Sequence, residues 1–169
     1  VKRRDFVAAA LLPWAGAGLA ATEKVQSLDQ VLRLLDSLPQ AKTLKSSNGW
    51  TMNAVFEHLA QSIEMSMDGY PQAKPAWFQA TVGAAAFTVF TLRGSMTHGL
   101  SEPIPGAPPL QQVSNWQPGA TRLRAAILRF QQHKGVLQPH FAYGKLSHSD
   151  YARAHTMHVA NHQDKMLIL

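Results

Sequence analysis

The chain has 169 residues, enough for one domain with a real hydrophobic core, and its 46% apolar content argues against disorder. Its 16 basic and 10 acidic residues give a formal charge of +6. Beyond the first few residues Lys and Arg form no cluster and are not interleaved with aromatics, which argues against a nucleic-acid partner. Cysteine is absent, which excludes disulfides, thiolate metal sites and cysteine nucleophiles.

Residues 1–21 read as an export signal. Lys2, Arg3 and Arg4 precede an apolar run from Phe6 to Leu19, which is too short and too rich in Ala and Gly to span a membrane. Arg3-Arg4-Asp5-Phe6-Val7 resembles the twin-arginine signal, with Lys2 where Ser or Thr is frequent. Cleavage is expected near Ala20 or Ala21. The resemblance implies the twin-arginine export machinery as a partner and a bacterial periplasmic or secreted location. Export in the folded state lets a metal be loaded in the cytoplasm, which matters because affinity alone discriminates poorly among divalent ions.

Residues 22–169 then read as a single helical domain. Val25, Leu28, Val31, Leu32, Leu35 and Leu38 recur at helical spacing until Pro39. Thr51 is placed to cap a second helix with the stripe Met52, Val55, Phe56, Leu59, Ile63 and Met67, stopped at Gly69-Tyr70-Pro71. Residues 75–93 fit a further helix, weakened by Gly83 and β-branched residues. Residues 97–118, with Pro103, Pro105, Pro108 and Pro109, read as a long surface connection.

A helix beginning at Pro118 or Gly119 carries Leu123, Ile127 and Phe130 in register, with Gly135 as its stop. Ser147-His148-Ser149-Asp150 has the form of a capping box for a last helix running from about His148 toward Leu169, roughly 30 Å long. The expected class is therefore all-α: a four-helix bundle with a long crossover that holds an extra helix.

The last helix carries the chemistry. Tyr151, His155, His158, Val159, His162, Met166 and Leu169 share one face, and the apolar members make it the buried face. Buried imidazoles are costly unless something engages them, and His158 and His162, four residues apart, are suited to hold one metal ion. His155, one turn earlier, is an alternative ligand or a supporting group. The second helix presents His58 to the same interior. Ser62, Tyr151, Glu57 and Glu64 are candidates to orient the imidazoles. His98, His133, His140 and His148 fall in loops or near helix ends and read as solvated. The methionines read as core filler.

Three stretches carry a family resemblance. They are Trp50-Thr51 with Glu57-His58-Leu59-Ala60, the lead-in Pro139-His140-Phe141-Ala142-Tyr143-Gly144-Lys145-Leu146-Ser147, and His155-x-x-His158-x-x-x-His162. Together they resemble the DinB/YfiT-like superfamily of metalloenzymes. Gln61 through Pro71 is similar to an exported branch of it known only as a domain of unknown function. The resemblance implies an up-down-down-up four-helix bundle. It also implies a divalent ion, zinc, nickel or iron, held by His58, His158 and His162. Asn161 and Lys165 depart from that pattern, where His and Gln are frequent.

An open three-His site suits a metal-dependent transferase or hydrolase acting on a small substrate, whose identity the sequence does not give. The alternative is a non-catalytic periplasmic metal-binding or sensing module; a metal-free helical scaffold is the third reading. Homodimers are common among such bundles, though no segment here marks one.

Overall fold

The computed structural model describes residues 23–169; the export signal expected over 1–21 lies outside them. Ser27 caps the first helix, α1 (Leu28–Ser37), by accepting from Gln30 N–H, and the helix buries Leu28, Val31 and Leu35. Pro39 does not end the apolar pattern abruptly. It sits inside a single 3-10 turn (Leu38–Gln40), where the missing N–H costs nothing.

Thr51 caps α2 (Met52–Asp68) through Ala54 N–H, 3.3 Å away, as its spacing predicts. This helix is buried on almost every face. It packs along α5 (Gln117–Gln132) and against α6 (His148–Gln163), while α1 packs on α5 and α6. Leu59, Ile63, Leu123, Ile127 and Phe130 are all at most 1% exposed in the shared core. Each such side chain contributes about 1.5–3 kcal/mol by leaving water.

Gly119 lets α5 approach α2 closely. A Cβ there would stand 2.6 Å from the Asn53 carbonyl, and Gly119 N–H donates to Asn53 Oδ1 at 2.8 Å. Two ion pairs, Arg122 with Glu64 and Arg129 with Asp68, join the same two helices at the surface. Such exposed pairs are worth about 0.2–1 kcal/mol each, so packing fixes this interface.

The segment 75–93 is helical, but not uniformly so. A short α3 (Ala76–Phe78) widens into a π turn (Gln79–Gly83) and continues as α4 (Ala84–Arg93). Gly83 explains the irregularity. Its Cβ, if present, would lie 1.9 Å from the Ala142 carbonyl oxygen, so the lead-in loop before α6 packs directly on the helix backbone. Phe87 and Met96 join Ala154 and Met157 of α6 in a second, smaller apolar cluster.

The capping box at the start of α6 is present in both directions between Ser147 and Asp150. The helix ends at Gln163, however, well short of Leu169. Met166–Ile168 form strand β2, which pairs antiparallel with β1 (Leu44–Ser46), placing Leu44 opposite Ile168. Met166 and Leu169 therefore do not extend the helical face. A partner strand more than 100 residues earlier in sequence takes the backbone bonds that further helical turns would have made. The chain is thus mostly helical, with one two-stranded ribbon tying its last residues to the loop before α2. Among the described residues no helix is long and apolar enough to cross a membrane.

Candidate metal centre

Helix α2 points His58 into the interior, and α6 does the same with His158 and His162 one turn apart. The three residues are 3%, 9% and 1% exposed, so their ring nitrogens have lost most of their contact with water. Each offers one ring nitrogen, and these lie within 4.8 Å of one another. The Nε2 atoms of His58 and His158 are 3.1 Å apart. Two nitrogens on a tetrahedral zinc ion at 2.0–2.1 Å would be about 3.3 Å apart, so the spacing is already close to that of a ligand pair.

The hydrogen-bond pattern gives an independent test of fit. Nδ1 of His58 and both ring nitrogens of His162 are buried with no partner among the described residues. Unpaired buried polar atoms are rare in folded proteins and costly, by about 1–3 kcal/mol each. A neutral ring has one lone pair, so a cation at the centre would engage one nitrogen of His162 together with the Nε2 atoms of His58 and His158 that already face each other. The protonation state agrees. Burial, then the facing His98, lowers His58 to about 4. Burial, then His58, lowers His162 to about 3, and the same causes hold His158 well below its ordinary value. All three are neutral at pH 7, the form that binds metal.

Trp50, just before the Thr51 cap, closes one side. Its ring meets His58 edge-on at 5.1 Å and lies parallel to His162 at 6.5 Å. A cavity of about 220 Å³ adjoins the group, reaching His58 and His158 and walled by Met96, Ile104, Phe141 and Tyr143.

The other residues singled out from the sequence take different places. His155 is 2% exposed but is not drawn into the group; its Nε2 lies 3.3 Å from Ser66 Oγ, and its ring stacks on Tyr151 at 5.3 Å. Tyr151 donates its hydroxyl to the Gln138 carbonyl, and Ser62 accepts from the Tyr70 hydroxyl through its backbone carbonyl. Glu57 accepts from Gln111 N–H, and Glu64 is held by Arg122. Among the described residues none of these five makes a hydrogen bond to the three rings.

Two histidines read as solvated lie at the group or its cavity, one half-buried and one buried. His98, from the loop after α4, brings its ring to 4.7 Å from that of His158 and 5.6 Å from that of His162. Its Nδ1 donates to the Gly99 carbonyl at 2.8 Å. It stands beside the three-nitrogen group without being part of it. His140 is 8% exposed and lines the same cavity as His58 and His158. Neither has a helical register from which its position could be read. For His140 the one signal was its place in the lead-in motif.

A protein-family model described as "Protein of unknown function (DUF1569)" matches residues 21–167. No curated protein and no solved structure matches the chain.

Proposed function

The chain belongs to the DUF1569 family of proteins of unknown function, and on that premise we propose that it is a divalent-metal-binding protein of DinB-like type. His58, His158 and His162 are the ligands. The observation that carries this reading is the group of three buried neutral imidazoles, each with a ring nitrogen within 4.8 Å of the others, and His162 with no partner for either nitrogen. The four-helix bundle with DinB-like course is part of the same proposal. It is supported by the packing of α1, α2, α5 and α6 and by one ligand from the second bundle helix and two from the last.

Three neutral ligands leave the ion's charge uncompensated and its coordination open, which distinguishes the set from a closed structural zinc site. An ion bound there supplies Lewis acidity toward an oxygen of a bound molecule. The protein's own residues do the rest. The three rings would hold the ion, Trp50 would cover it on one side, and Met96, Ile104, Phe141 and Tyr143 line the cavity on the other. That arrangement suits a metal-dependent transferase or hydrolase for a small substrate.

A non-catalytic binding or sensing module is the second reading. It is favoured by the engagement of Glu57 and Glu64, the carboxylates nearest His58 in sequence, away from the group. Exchange of water at the bound metal, measured by proton relaxation on a paramagnetic substitute, separates the two: exchange supports catalysis and its absence supports the module. The periplasmic or secreted location rests on Arg3-Arg4-Asp5-Phe6-Val7 and on twin-arginine export. Elemental analysis of protein exported by its native host is expected to find stoichiometric zinc, nickel or iron, lost in His58→Ala and His162→Ala. Metal-free wild-type protein from that source would count against the reading.

A further inference from the structure

His140 is held more firmly than its loop position suggests. Its N–H donates to the Gly144 carbonyl at 2.8 Å, and its carbonyl accepts from Gly144 N–H at 3.0 Å. Its ring stacks on Tyr143 at 4.2 Å with the planes only 6° apart. The backbone N–H groups of Ala142 and Tyr143 both donate to its Nδ1, at 3.1 and 3.2 Å. A ring nitrogen that accepts N–H bonds carries no proton, so the neutral ring keeps its hydrogen on Nε2. No described residue accepts from that Nε2–H, and the ring lines the cavity beside the three-histidine group.

We propose that this cavity binds a small, largely apolar carboxylate, one oxygen of which accepts a hydrogen bond from Nε2–H of His140. The proposal rests on the metal reading above and names the ligand class of that site. Charge selects the anion. A divalent ion on three neutral rings would leave its full charge at the cavity, whose lining Lys74 and Glu102 offset one another. The walls select the body of the ligand, because Met96, Ile104, Phe141 and Tyr143 favour an apolar group. Burial pushes the His140 ring down to about 3, so it stays a neutral donor across the physiological range. The donor is fixed before the ligand arrives, which spares it reorganisation.

Calorimetric titration of the zinc-loaded full chain with sodium benzoate, for wild type and His140→Asn, tests this. Asn keeps an acceptor near the Nδ1 position for the two backbone N–H groups and removes the Nε2 donor. Zinc uptake is measured first. Uptake by wild type, benzoate binding, and at least tenfold weaker binding to the variant are expected, since a hydrogen bond to a charged group is worth about 1.5–3 kcal/mol. Zinc uptake with no benzoate binding, or with equal binding by both proteins, overturns the proposal. Absence of zinc uptake by wild type overturns the metal reading itself and is told apart by that first step.

If His140→Asn fails to fold, nitrogen-15 NMR of the wild-type imidazole decides. A protonated Nε2 whose proton resonance shifts on adding benzoate supports the proposal. A proton on Nδ1, or an unmoved resonance, overturns it.

Discussion

His140 and His155 are neutral rings in the interior at pH 7. Burial pushes His140 to about 3, and burial, then His140 and His148, does the same to His155. An unfolded histidine takes up its proton near 6.5. Between those values the unfolded chain binds more protons than the folded one, so stability falls as pH falls through that window. The contribution is complete above about pH 6.5, and each ring loses about 1.4 kcal/mol per pH unit below it. Urea midpoints of metal-free protein between pH 7.5 and 4.5 are expected to decline accordingly. His155→Leu should decline less steeply, whatever its stability at pH 7.5; identical slopes would refute the assignment. Legibility at this scale followed periodicity. His58, His158 and His162 could be placed because a helix fixes where each side chain points. His98 and His140 could not, because their positions depend on how two loops fold back over the site.

The lead-in loop before α6 is set by Gly83 in the widened helix beneath it, where a Cβ would lie 1.9 Å from the Ala142 oxygen. Gly83→Ala is therefore expected to cost about 1–3 kcal/mol, the usual penalty for overpacking. It should also loosen the loop, seen as faster hydrogen exchange of the Ala142 and Tyr143 amides that bind His140. Unchanged exchange would mean that the loop is held from elsewhere. In sequence Gly83 registers only as a poor helix former. Its reason, a loop packed on it some 60 residues later, is non-local. The same holds for the end of α6. Met166 continues the helical stripe by spacing, yet pairing with Ser46 overrides the pattern. The capping residues Thr51 and Ser147 were readable because a cap acts within four residues of itself.

Over the whole molecule, the three histidines join α2 to α6 across 100 residues of chain, the separation between His58 and His158. A ligand that binds only the folded state stabilises it by mass action, about 2.7 kcal/mol at a hundred times its Kd. For a domain of this size that corresponds to a rise in Tm of about 5–10 °C. Chelation should remove the rise, His158→Ala should abolish it, and His98→Ala should retain it, because His98 lies outside the ligand group. An equal loss in His98→Ala would move that residue into the first coordination sphere. The all-α class was legible from helical stripes and breakers, whereas the closing ribbon was not, because its strands are three residues each. The most direct test of the central claim is X-ray absorption fine structure of the metal-loaded protein. Three imidazole nitrogens at about 2.0–2.1 Å with their outer-ring scattering are expected, falling to two in His58→Ala. A shell of oxygens without imidazole scattering, or a wild-type spectrum unchanged in that variant, would contradict it.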